Sequence, residues 1–488
     1  MRSALLLIVL CARVLSAQTI ALTHVNVVDV NRGLVLRDQT VVIAEGRITS
    51  VGPASELKIP RGAVQRSYRG RYVIPGMWDM HAHLGMSGRS SFALYLANGV
   101  TGVRDMGGDR AMVVPWRDSV ARRLMPGPRL VMAGAIVERA AWLKAVLAMS
   151  QKTGDTASIN RLSQRLAIST PESARQAVDS VIALKGDFLK IRNDASAAST
   201  FELLRYAREK NLPVAGHWPQ IITPEQASDS GFRSLEHGPL TARNGTLVPT
   251  LDLMTAAERS ALFAKFAKNG TAHTPTLITL KGFRLMPDSA VARILADTAG
   301  RLEPRMRYVP APMLRTWMSE YELKKQETGP PLDWAAFNKS WTRDLREMAD
   351  SGVLLLAGSD VGSPLVFPGF SVADELELLV TEGNLTTLQS LRTATSNVAK
   401  WMHAEKDFGS IAPGQRADLV ILEADPLMNI SNVRRIVAVV RDGFLMDRRA
   451  IDRLLAGALR HEPPVLRKST TANLSTSSSS NVSHQPEQ

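Results

Sequence analysis

Eight short apolar runs recur between Tyr72 and Ser359, separated by amphipathic stretches that carry helix-starting signals. They are Tyr72 to His81, Val100 to Met106, Arg129 to Gly134, Asp187 to Arg192, Pro213 to His217, Phe232 to His237, Thr271 to Ile278 and Val353 to Ser359. Runs of this length read as strands, and the amphipathic stretches between them read as crossover helices. Thr170-Pro-Glu172 sets a cap, a first-turn proline and an acid before a helix from Ala174 to Leu184, and Thr223-Pro-Glu-Gln226 is a capping box. Parallel strands joined by right-handed helical crossovers close, at eight, into a (β/α)8 barrel of the α/β class. In such a barrel the residues at the strands' carboxyl ends share one mouth.

The two ends of the chain read differently. Ile20 to Val30, Thr40 to Ala44 and Arg47 to Val51 alternate apolar with polar residues between turns at Asn31-Arg-Gly33 and Glu45-Gly46. After helices expected at Ser371 to Gly383 and Leu385 to His403, short strands return at Asp418 to Leu422 and Ile436 to Arg441. The two β-rich ends are expected to pair into one small β-sandwich domain beside the barrel. The division is a signal peptide at 1–17, β-sandwich segments at 18–72 and 406–462, a barrel at 73–405 and a disordered polar tail at 463–488. Two connections, Ala135 to Thr170 and Lys281 to Asp350, exceed what a bare barrel needs and are expected to form walls or lids over its mouth.

Arg2, an apolar run and small residues up to Ala17 make the start a secretory signal, with a run too short to span a bilayer. The expectation is an exported protein, periplasmic or secreted, with no membrane span once the signal is removed. The single cysteine, Cys11, leaves with that signal, so the mature chain has no disulfide and no thiolate ligand. Any metal must be held by nitrogen and oxygen. The formal charge of +13 falls to +11 without Arg2 and Arg13, but the basic residues are dispersed and no nucleic-acid motif is visible. No nucleic-acid partner is expected, and the sequence leaves a homo-oligomer open.

Polar residues sit where the barrel would use them. In a strand alternate residues share a face, so His81 and His83 project together at the end of the first run. Lys190 lies on the fourth, His217 ends the fifth, Glu236-His237 end the sixth, and Asp360 follows the eighth. Each alone has a plain structural use: Lys190 as a snorkelling lysine, Asp360 as a turn cap. Their conjunction at one end of one barrel is what points to a metal site. Arg192 shares the face of Lys190 and could pair with a substrate carboxylate or serve structure alone. Trp218 could narrow the pocket or stack on an aromatic leaving group. Glu236 should point away from His237 and act in support.

The chain resembles the amidohydrolase superfamily, in the branch of imidazolonepropionase-like enzymes, prolidase-type dipeptidases and ochratoxin-hydrolysing amidases. The resemblance rests on Ile74-Pro-Gly-Met-Trp-Asp-Met-His-Ala-His83, Asn98-Gly-Val-Thr-Gly-Val-Arg-Asp-Met-Gly107, Gly186-Asp-Phe-Leu-Lys-Ile191 and Pro213-Val-Ala-Gly-His217, and further on Ser234-Leu-Glu-His-Gly238, Leu356-Ala-Gly-Ser-Asp360 and Phe408-Gly-Ser-Ile-Ala-Pro-Gly-Gln-Arg-Ala-Asp-Leu-Val420. It implies two divalent ions, usually zinc. His81, His83 and Asp360 would hold one, His217 and His237 the other, and Lys190, carboxylated at its terminal nitrogen, would bridge them. It further implies cleavage of a carbon–nitrogen amide bond in a small molecule, a dipeptide or N-acyl amino acid, by metal-activated hydroxide. Asp360 would act as base then acid, and a second-site histidine, His237, would stabilise the oxyanion. A cyclic amidase, a lactonase or a non-catalytic envelope metal-binding protein are the alternatives on the same ligand set.

Overall fold

The computed structural model describes residues 19–154, 156–243, 246–326 and 333–459. The expected signal peptide, Cys11 and the expected polar tail lie outside them.

Seven strands follow one another in chain order through one parallel sheet: Met77–Ala82, Val100–Asp105, Arg129–Arg139, Phe188–Ile191, Val214–His217, Phe232–Glu236 and Ala272–Thr274, with the short Leu166–Ile168 also on Arg129–Arg139. The eighth position is held by single bridges, His273 to Leu355 and Ala82 to Val361. Backbone hydrogen bonds close the circle there: Leu356 N donates to His273 O at 2.9 Å, Met80 N to Ala357 O at 2.8 Å and Asp360 N to His81 O at 2.7 Å. Val353 to Ser359 thus occupies a strand's place without a strand's regular ladder. The seventh run is likewise shorter than its apolar pattern, ending at Thr274 because Thr276 turns into the left-handed region (φ 52°) and Leu277 starts a helix.

The first run is divided. Tyr72–Pro75 belongs to the flanking sheet, pairing antiparallel with Leu419–Leu422 and parallel with Ile20–Asp29, and the barrel strand begins only at Met77. Gly76 makes the crossing, since a Cβ there would meet Thr101 Oγ1 at 2.1 Å. The flanking sheet runs Phe444–Asp447, Ile436–Arg441, Leu419–Leu422, Tyr72–Pro75, Ile20–Asp29, Leu34–Ala44, Arg47–Pro53, with Val64–Ser67 also on Ile20–Asp29. Residues from both chain ends, among them Leu22, Ile43, Val73, Ile421 and Val440, share one buried cluster. Bonds from Ile48 N to Gln415 O and from Ala417 N to Gly46 O tie its far edge to the C-terminal segment.

Both long connections carry helices. The first holds Ala140–Thr153 and Thr156–Leu162; the second holds Asp288–Ala296, Ala311–Lys325, Trp334–Arg343 and Leu345–Asp350. The capping box at Thr223 and Gln226 forms as its spacing requires. The sequence reading gave no helix at Arg448–Ala458, which follows the last strand and packs beside Ser91–Ala97.

Candidate metal centre

The carboxyl ends of the barrel strands converge on a group of nitrogen and oxygen donors. His81 is fully buried, and its Nδ1 lies 2.8 Å from Glu236 Oε2. A carboxylate can only accept, so Nδ1 carries the proton and the lone pair sits on Nε2. That Nε2 has no hydrogen-bond partner and lies 3.4 Å from Asp360 Oδ1. His83 repeats the device: Nδ1 donates to Gly107 O at 2.6 Å, and Nε2 lies 3.4 Å from the same Asp360 oxygen. For His237 the chain of donors is longer. Thr276 Oγ1 donates to Pro275 O at 2.7 Å, leaving its lone pairs for His237 Nδ1 at 2.7 Å. Three imidazoles are therefore held by their Nδ1 protons with Nε2 free to ligate, as metal-binding histidines usually are.

His81, His237 and Asp360 each offer a ligand atom, and these lie within 4.8 Å of one another. The rings of His81 and His237 are 4.7 Å apart, and that of His217 stands nearly perpendicular to His237 at 5.0 Å. Lys190 is buried at 2% exposure, and the fourth and fifth strands register it against Ala215, two residues before His217. His237 (φ 63°) and Asp360 (φ 56°) both adopt left-handed backbone conformations, uncommon for residues with a Cβ and frequent at functional sites. The structure thus brings His81, His83, Lys190, His217, His237 and Asp360 to one end of the barrel.

Electrostatics suit a cation. Burial holds His237 down to about 4 and His81 and His217 well below the ordinary histidine range, with Lys190 the next contributor for the latter two. These rings are neutral donors at physiological pH. Burial alone would push Asp360 up, but the neighbouring His83, His237 and Lys190 hold it at about 2. Burial lowers Lys190 to about 8 against the opposing pull of Glu236 and Asp360. A buried, unbonded His81 Nε2 with further imidazoles beside an ionised carboxylate, and no sulfur, is a donor set that fits a divalent ion such as zinc.

One supporting residue foreseen from the sequence, Glu236, and two that were not, Arg104 and Asp79, hold these ligands. Glu236, on the opposite face from His237, accepts from Arg104 Nη2 at 2.8 and 2.9 Å and from Ser234 Oγ at 2.5 Å besides His81. Arg104 is itself fully buried, donates through Nε to Met80 O and lies over the Trp401 ring at 4.8 Å. Asp79 accepts from His81 N at 3.2 Å and from Ser359 N at 2.9 Å, pinning the first strand to the eighth position. Neither Arg104 nor Asp79 follows from a periodic pattern. Each is a charged residue inside an apolar run, which is the one signal the sequence offers.

One expectation is corrected, and another keeps both of its alternatives. Trp218 cannot stack on a leaving group: it is 6% exposed, packs on Phe266 and His273, and its Nε1 donates to His237 O at 3.0 Å. It holds the backbone of a ligand from behind. Arg192 stands at the mouth but is engaged by the protein, with Nη1 3.4 Å from Glu138 Oε1 and its guanidinium 4.7 Å from the Trp142 ring centre. Its side chain is 37% exposed, so a substrate carboxylate would share it with Glu138.

The amidohydrolase family model matches residues 72–446, most of the chain. The chain belongs to the amidohydrolase family. As an amidohydrolase it is a hydrolase acting on carbon–nitrogen bonds, of a family that is generally metal-dependent. No curated protein sequence matches it. Among solved structures it is similar to a bottromycin amidohydrolase (23% identity, TM-score 0.67, covering 90% of each chain). It is also similar to a Xaa-Pro dipeptidase with bound methionine (18%, 0.62, 88% of this chain and 100% of that) and to A. niger ochratoxinase (17%, 0.62, 88% and 96%). At these identities the likeness is one of fold. Among the described residues no helix is long and apolar enough to cross a membrane.

Proposed function

We propose that this amidohydrolase is exported and binds two divalent ions, zinc by donor type, to cleave a carbon–nitrogen amide bond in a dipeptide or N-acyl amino acid. His81, His83 and Asp360 would hold one ion, and His217 and His237 the other. Lys190, carboxylated on Nζ, would join them. The single observation that carries the reading is the set of Nε2 atoms freed by Nδ1 partners around an ionised Asp360. A buried ammonium among four histidines would repel a cation, whereas its carbamate adds the hard anionic oxygen donors this thiol-free site otherwise lacks.

When bound, the ions lower the pKa of water towards neutrality and polarise the scissile carbonyl. Asp360 then accepts the proton of the attacking water and returns it to the leaving nitrogen, a base-then-acid role in keeping with its place among the candidate ligands. His237 faces the developing oxyanion, oriented by Thr276 on its ring and Trp218 on its carbonyl. Export rests on the charged start and short apolar run of residues 1–17.

The test is hydrolysis of a panel of dipeptides and N-acyl amino acids by the mature chain, supplied with zinc and bicarbonate, beside Lys190→Ala. Cleavage with two ions per chain, and loss of both activity and one ion in the variant, is the expected result. Asp360→Ala should lower kcat by about 10²- to 10⁴-fold, the scale of general acid–base catalysis, with metal still partly bound. Metal bound without cleavage of any linear amide would overturn the substrate class.

A further inference from the structure

Glu320 stands out among the acids near the mouth. It lies on the helix Ala311–Lys325, in the second long connection. Trp317, three residues before it, is fully buried and its Nε1 donates to Gly362 O at 2.9 Å. Gly362 follows Asp360 by two residues and sits against His83 and Met86. Residues three apart share a helix face, so the contact that docks this helix turns Glu320 towards the same place. On its other side Lys324 is fixed to Phe283 O at 3.2 Å.

The Glu320 side chain is partly buried, and its charge interacts with Asp360 first, then with Arg284, Arg161 and Arg192. Yet among the described residues it makes no hydrogen bond or ion pair. The three arginines are each engaged elsewhere: Arg192 by Glu138 and Trp142, Arg161 by Ser158, and Arg284 by the Trp334 ring at 4.8 Å. A carboxylate drawn out of water beside another carboxylate, with no cation of its own, is costly unless something cationic arrives. Burial and Asp360 push it up to about 7, the same want of a partner seen from the proton's side.

We propose that Glu320 receives the free amino group of the substrate. The lid helix thereby selects unblocked dipeptides, whose ammonium lies on the acyl side of the scissile bond, over N-acylated compounds. The assignment rests on the amide-hydrolase reading above and narrows it. Arg161 of the first connection and Arg284 of the second both act on the charge of Glu320.

The test compares kcat/KM for each dipeptide of the panel with that for its N-acetyl derivative, in the wild type and in Glu320→Gln. The wild type should prefer the free amine. In Glu320→Gln the ratio of free to acetylated should fall by about 10- to 100-fold, the scale of a charge-assisted hydrogen bond, mainly through KM. Glu320→Asp, which keeps the charge, should recover part of the ratio, separating recognition from a folding defect. A wild type that favours acetylated substrates, or an unchanged ratio in Glu320→Gln, overturns the proposal. Absence of wild-type turnover on either form, with metal bound, overturns the linear-amide reading and this assignment together, and is told apart by that absence.

Discussion

At the scale of single residues, the centre is governed by groups that never reach the metal. Glu236 is sealed from solvent and answers two demands at once: it fixes the proton on His81 Nδ1 and supplies the counter-charge for buried Arg104. Glu236→Gln removes the second function and confuses the first, because an amide nitrogen can face either partner. Leaving Arg104 uncompensated should cost about 3–5 kcal/mol in chemical denaturation. Weakened orientation of His81 should lower metal affinity about 10- to 100-fold in a competition titration. Unchanged stability would mean that Arg104 finds its support in the Trp401 and Phe188 rings instead. Glu236 was legible from period two alone, since a neighbour of His237 must face away from it. Arg104 was not, because nothing in a sequence reveals which strand will lie opposite a buried charge.

At the scale of elements, the helix Ala311–Lys325 is held to the barrel by Trp317, which also packs edge-on against Phe367 at 5.6 Å. Trp317→Ala should cost about 3–5 kcal/mol, as large aromatic truncations in cores do. If the helix is a working lid, KM should rise more than kcat falls; equal KM at lower stability would make it scaffold only. The strands of the barrel were readable because each is apolar on both faces, a pattern that survives without tertiary information. The seventh and eighth were misjudged in extent. There the backbone leaves the ladder at Thr276 and Asp360, both in left-handed conformations, to aim side chains into the mouth. Propensity predicts regular strand at such places, and local geometry serving the site overrides it. The charge environment of Glu320 was illegible for a related reason: Asp360 and Arg284 lie on other elements, and Arg161 and Arg192 lie more than a hundred positions earlier.

At the scale of the molecule, the N- and C-terminal strands complete one sheet, and that sheet and the barrel are spliced by a single segment. Tyr72–Pro75 is hydrogen-bonded to Leu419–Leu422, and after Gly76 the same chain becomes the strand that carries His81. The pairing of both chain ends was foreseen from their alternation; that the first apolar run would be shared between two sheets was not, since its pattern is unbroken through Gly76. A chain ended at residue 405 keeps every proposed ligand. It should nonetheless fail to bind zinc stoichiometrically and should unfold at lower denaturant than the full chain, because the strand leading into His81 has lost its partner. Stoichiometric binding by the truncated chain would show the two sheets to be independent.

The splice at Gly76 also sets an order in time. A nascent chain emerges with His81 and His83 early and Asp360 late, and the strand that braces the first of them later still, at Leu419–Leu422. Throughout most of its synthesis such a polypeptide has histidines but no finished cage for a cation. Premature metal capture is discouraged by topology alone.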